Sequence, residues 1–94
     1  MPAPSFAWDD TKDRINQEKH GVAFAEAQRA FLDPFRVIAE DVTHSTNERR
    51  WYCFGDVDGR VMTVRFTWRG GVVRIFGAGW WRKGGRIYDQ RNHR

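Results

Sequence analysis

Two short glycine turns constrain what this chain can fold into more than any other feature. Asp58-Gly59 and Gly70-Gly71 separate three runs of alternating side chains, Trp51–Gly55, Val61–Trp68 and Val72–Ala78. Dipeptides of this kind tolerate the positive φ angles of tight hairpin loops. The three runs are therefore predicted as successive antiparallel strands of a meander. If Gly70-Gly71 forms a two-residue loop, Arg69 pairs with Val72 and Thr67 with Arg74. The same rule at Asp58-Gly59 pairs Tyr52 with Arg65 and Phe54 with Thr63.

Side chains alternate along a strand and directly paired residues share a face, so these registers sort the meander into two surfaces. One carries Val64, Phe66, Trp68, Val73 and Ile75, joined by Trp51, Met62 and Cys53, and is predicted as the core. The other carries Arg65, Thr67, Arg69, Val72, Arg74 and Phe76, joined by Tyr52 and Phe54. A one-residue slip would exchange the two sets.

Upstream of the meander the periodicity is helical. Asp9 and Asp10 offer N-cap oxygens to a helix over Thr11–His20, and Gly21 supplies its left-handed terminus. A second helix over Ala23–Leu32 places Phe24, Ala27 and Phe31 on one stripe and stops at Asp33-Pro34. Phe6–Trp8 is a short extended candidate, Phe35–Ala39 a further strand and Glu40–Glu48 a polar loop. After Trp80-Trp81-Arg82-Lys83, the Gly84-Gly85 pair opposes a helix by about 1 kcal/mol per glycine. That end is either a helix stabilised by docking or a turn with a short helix after it. The sum is an α+β fold: two N-terminal helices on a four-stranded antiparallel sheet, closed by a short C-terminal helix.

Ninety-four residues are expected to form one domain, 1–94. Five Trp and seven Phe supply enough bulk for a core. The lone cysteine, Cys53, excludes an internal disulfide and reads as a buried thiol rather than a nucleophile. No apolar run approaches the roughly 20 residues of a membrane span and no signal-peptide pattern follows Met1, so a cytoplasmic location with no membrane partner is expected. Charge is segregated. Residues 1–59 hold seven Lys/Arg against eleven Asp/Glu, whereas residues 60–94 hold nine against Asp89 alone. Such asymmetry implies one electropositive surface for nucleic acid or an acidic partner, the alternative being a solvated basic tail.

The arginine face suits RNA. Guanidinium groups offer permanently charged paired donors to phosphate, and neighbouring aromatics can stack unpaired bases. Cleavage of RNA without a metal requires the 2′-hydroxyl to attack the adjacent phosphate while the protein stabilises the developing charge and moves protons. Arg65, Arg69 and Arg74, with Arg82 and Lys83 nearby, are the candidates for phosphate binding and charge stabilisation. Tyr52, Phe54, Phe76 and Trp81 are the candidates for contact with bases. Proton-transfer candidates are weak. His20 reads as a helix-end cation, His93 as a tail residue, and His44 as a loop residue beside Ser45, Glu48 and Arg49, more often structural than functional. Neither a metal-ligand spacing nor a nucleotide-binding glycine loop is present, so no metal and no cofactor are expected.

An ordered series of motifs resembles the BrnT family of bacterial type II toxins. It comprises Phe6-Ala7-Trp8-Asp9, Glu18-Lys19-His20-Gly21-Val22 with Phe24 and Glu26-Ala27, and Phe31-Leu32-Asp33-Pro34. It continues with His44-Ser45, Glu48-Arg49-Arg50-Trp51, Phe66-Thr67 with Arg69, and Arg74-Ile75 with Tyr88. The resemblance implies a RelE-like fold with helices on one sheet face, and a metal-independent endoribonuclease that inhibits translation. It also implies a cognate antitoxin with a ribbon-helix-helix DNA-binding part, through which the pair would bind operator DNA and repress its own operon. In one place the chain departs from the pattern. BrnT-like sequences commonly carry Ser-Ala-Arg where Gly77-Ala78-Gly79 stands here, and that arginine belongs to the catalytic set the resemblance implies. Either Arg82 or Lys83 takes its place, or activity is altered or lost; in the latter case the chain would be a non-catalytic binding module acting with its antitoxin.

Overall fold

The computed structural model describes residues 5–93. In chain order the elements are β1 (Ser5–Ala7), α1 (Asp10–His20), α2 (Phe24–Ala27), a 3-10 segment (Gln28–Leu32), β2 (Val37–Glu40), a 3-10 turn (Val42–His44), β3 (Trp51–Val57), β4 (Arg60–Arg69), β5 (Val72–Gly79) and α3 (Arg82–Arg91). The strands form one sheet in the order β1-β5-β4-β3-β2. The β3–β4 and β4–β5 hairpins have the registers expected from their turns: Tyr52 opposite Arg65, Phe54 opposite Thr63, Thr67 opposite Arg74 and Arg69 opposite Val72. The turn residues Asp58, Gly59, Gly70 and Gly71 all have positive φ, as two-residue hairpin loops demand.

The expected sheet needs correction. It is five-stranded and mixed, because β1 lies parallel to β5 with Phe6 opposite Val73. Phe6–Trp8 is recognisable as a short extended segment, but three residues give no sign of their partner, which comes from the far end of the sequence. The second N-terminal helix is also not a single α-helix. α2 is one turn, with Phe24 N–H donating to the Asp13 carboxylate at 2.8 Å, and it tightens at once into the 3-10 segment. The run must end before Pro34, and its last turn is pressed against β3, where a Cβ on Gly55 would collide with the Ala30 carbonyl.

α1, α2 and the 3-10 segment cover the apolar face. Val22, Phe24, Ala27 and Ala30 meet Cys53, Met62, Val64, Phe66, Val73, Ile75 and Ala78 there. Trp68, expected in this core, is 48% exposed near the end of β4, where it meets Trp51 and Phe66 edge-on. Asn16 of α1 ties that layer to the sheet. Its side-chain amide donates to the carbonyls of Val22 (2.8 Å) and Ala78 (3.0 Å) and accepts from the Ala78 N–H (3.2 Å).

The opposite face is not left bare, contrary to the expectation of helices on one side only. α3 is a continuous helix through Gly84-Gly85 and packs on β3 and β4. It buries Tyr88, Phe54 and Val37 in a second, smaller core, and the Tyr88 hydroxyl donates to Asp33 at 2.6 Å. Gly84 is what permits this docking, since a Cβ there would collide with the Thr63 hydroxyl and come 3.0 Å from Phe54. No helix among the described residues is long and apolar enough to cross a membrane.

Candidate nucleic-acid interface

Arg65, Arg69 and Arg74 project from the same sheet face, since Arg65 and Arg69 alternate with core residues on β4 and Arg74 pairs with Thr67. α3 divides that face. Phe54 lies beneath the helix at 3% exposure, which removes it from the expected RNA-contacting set. Tyr52, Arg65, Arg74 and Phe76 remain half-buried on the rest of that face.

A β-bulge arranges the open part. The register shifts between Arg65 and Phe66, so that Arg65 faces Gly77, Phe66 faces Ile75, and Phe76 is the extra residue. Phe76 and Gly77 consequently share the arginine face, while Ala78 drops into the core. The guanidinium groups of Arg65 and Arg50 lie over the Phe76 ring at 5.1 and 4.8 Å from its centroid. Each contact is worth about 0.5–1 kcal/mol at a partly exposed site and fixes a flexible cation in place. Gly77 makes room for the stem of Arg65, whose Cδ would be 3.3 Å from a Cβ at that position.

Next to this cluster runs a groove of about 660 Å³. Tyr52, Phe54, Thr63 and Arg65 form its sheet-borne floor, Trp81, Lys83, Gly84 and Ile87 one wall, and Ala39, Glu40 and His44 the other. The end of β2 and the β2–β3 loop build the second wall. The Ser45 hydroxyl donates to the Asp41 carbonyl (2.7 Å) and accepts from Arg50 N–H (2.9 Å), and Thr67 donates to the Arg49 carbonyl (2.7 Å). Within the loop, His44 Nδ1 lies 2.8 Å from Oδ2 of buried Asp41. Burial raises the Asp41 carboxyl, but hydrogen bonds from His44 and Tyr52 outweigh it and hold the group below the usual carboxylate range. Burial, with the neighbouring Asp41, pushes the Tyr52 phenol up.

The remaining expected residues divide. Lys83 lines the groove, whereas Arg82 is exposed at the first turn of α3 outside it. Arg69 sits at the far end of β4 in an ion pair with Glu48 at 3.2 Å. Arg74 lies toward β1, where its charge is a minor contributor, after the Lys12 N–H hydrogen bond, to the lowered Asp9 carboxyl. Trp81 flanks the groove and meets His20 edge-on at 5.0 Å. Two groups were missed by the sequence reading. Arg50 sits two residues before Tyr52, and that spacing could have placed it on the arginine face. The Asp41–His44 contact had no comparable signal, because it depends on the 3-10 turn. A second concavity of about 500 Å³ lies by Asp33, Asp56 and Asp58 and suits an anionic polymer poorly.

The sequence model of a family described as "Ribonuclease toxin, BrnT, of type II toxin-antitoxin system" matches residues 8–84. No curated protein matches the chain.

Proposed function

This chain belongs to the BrnT family of ribonuclease toxins of type II toxin–antitoxin systems, and from that premise we propose that it is a metal-independent endoribonuclease that inhibits translation. The observation that carries the reading is the convergence of Arg65, Arg50 and Lys83 with Tyr52, Phe76 and Trp81 around one groove and its rim. Arg65 and Lys83 hold the scissile phosphate and offset its developing charge, and Arg50 and Arg74 extend the phosphate track across the sheet. Arg69 and Arg82 act at its periphery. Exposed Trp81 and half-buried Tyr52 and Phe76 offer ring surface to unpaired bases.

A type II toxin has an antitoxin partner; in this proposal the antitoxin carries a ribbon-helix-helix part, and operator DNA is reached only through it. The toxin unit spans 1–94, is RelE-like and acts in the cytoplasm. Expression of the chain alone in bacteria should arrest growth, with RNA fragments accumulating, and co-expression of the neighbouring antitoxin should relieve the arrest. Normal growth with folded, accumulating protein would contradict the reading.

Gly79 favours a second reading. The family arginine has no counterpart there, and the Trp81 ring occupies the space its side chain would need. On that view the chain is a non-catalytic module that acts with its antitoxin as a DNA-binding autorepressor. The purified pair would then bind operator DNA while the lone chain left RNA intact.

A further inference from the structure

Phosphate binding accounts for the cations of the groove, but strand cleavage also needs a group that takes the proton from the attacking hydroxyl. The His44 side chain is 53% exposed on the groove wall, while its partner Asp41 is 6% exposed. Asp41 is itself fixed: its N–H donates to the Arg50 carbonyl at 2.8 Å, and its carbonyl accepts from Ser45 Oγ at 2.7 Å and His44 N–H at 3.2 Å. A carboxylate at Nδ1 favours the tautomer with its proton on that nitrogen, which leaves Nε2 as the proton-accepting atom of a neutral ring. The other charged or titratable groups around it are Glu40 on β2, paired with Arg49 of the loop, Tyr52 on β3, Arg65 on β4 and Lys83 on α3.

Resting on the ribonuclease reading, we propose that His44 is the general base of RNA cleavage and Asp41 its positioning residue. Nε2 takes the proton of a ribose 2′-hydroxyl, and the freed electron pair of that oxygen forms a bond to the adjacent phosphorus. The bond from phosphorus to the 5′-oxygen breaks, its electron pair stays on that oxygen, and water supplies the proton it needs. The imidazolium returns its proton to solvent. The products are a 2′,3′-cyclic phosphate and a 5′-hydroxyl, and no oxidant or co-reactant is consumed.

The test compares wild type, His44→Ala and Asp41→Asn on a single-stranded RNA across pH. It also measures binding of the same strand carrying 2′-deoxyribose, which cannot be cut. His44→Ala should lose about 100-fold or more in cleavage, bind the deoxy strand within about twofold of wild type, and regain activity with added imidazole. Asp41→Asn should lower kcat about tenfold with KM unchanged, and thermal melts would show that both variants are folded. Wild-type-like cleavage by His44→Ala overturns the assignment and leaves the ribonuclease reading standing. Absence of cleavage by wild type at every pH overturns both.

Discussion

The indole ring of Trp81 lies against Gly79, so closely that a Cβ on Gly79 would come 2.7 Å from its Cζ2 and Cη2 atoms. Gly79 faces Thr63 on the arginine side of the sheet, and Trp81 is the N-cap residue of α3. The glycine thus lets a tryptophan cover the end of β5 and shape one wall of the groove.

A double-mutant cycle follows from that contact. Gly79→Ala should destabilise the chain by about 1–3 kcal/mol through overpacking against the ring. In a Trp81→Ala background the same change should cost much less, giving a coupling of about 1 kcal/mol or more between the two sites. Urea unfolding of the four proteins measures it; additive effects would show that the ring moves aside freely.

The adjacent glycines of α3 should respond with opposite signs. Alanine at Gly85 meets nothing within 4 Å and should stabilise by about 0.5–1 kcal/mol from helix propensity and unfolded-state entropy. Alanine at Gly84 meets the Thr63 hydroxyl and Phe54, and should lower the melting temperature despite the same propensity gain.

Asn16 serves both helix layer and sheet through three hydrogen bonds from a buried amide. Asn16→Ala leaves the Ala78 N–H and two carbonyls without these partners and should cost about 2–4 kcal/mol in denaturant unfolding. Ile15→Ala, one residue earlier and 44% exposed, should cost less than about 1 kcal/mol.

Burial pushes the Cys53 thiol up to about 12. A native thiol that holds its proton above the unfolded value favours the fold while both states are protonated. That contribution declines as pH rises above about 9 and the unfolded thiol ionises. Thiol reagents at pH 8 should therefore label Cys53 only at the rate of unfolding, and stability should fall between pH 9 and 11 more steeply than in Cys53→Ala. Rapid labelling of native protein would contradict the buried placement.

The meander was legible because its information is local. Asp58-Gly59 and Gly70-Gly71 fix two registers, and those registers put Arg65, Arg69 and Arg74 on one face. α1 was equally readable, since Asp9 caps it through Lys12 N–H and Gly21 ends it with φ of 68°. What escaped was set by distant partners. The extended segment at β1 was readable, but its parallel pairing with β5 was not. The bulge at Phe76 transfers Gly77 and Gly79 to the arginine face, which strict alternation could not foresee. α3 carries two glycines that argue against a helix locally, yet one of them is required by its contact with Thr63. That docking is also why Phe54, placed correctly by register, is sealed from solvent. His44 gained significance only when the loop turned it onto Asp41.

The central claim is that the groove beside the arginine face cuts RNA, and Arg65 is its most direct probe, being both on the groove floor and stacked on Phe76. The measurement is cleavage of a labelled single-stranded RNA by purified wild type and Arg65→Gln, with EDTA present. Wild type should cut, and the folded variant should be slower by about 100-fold or more, as loss of a charge-stabilising donor would dictate. Equal cleavage by both proteins would place the chemistry elsewhere, and intact RNA with folded wild type would contradict the account.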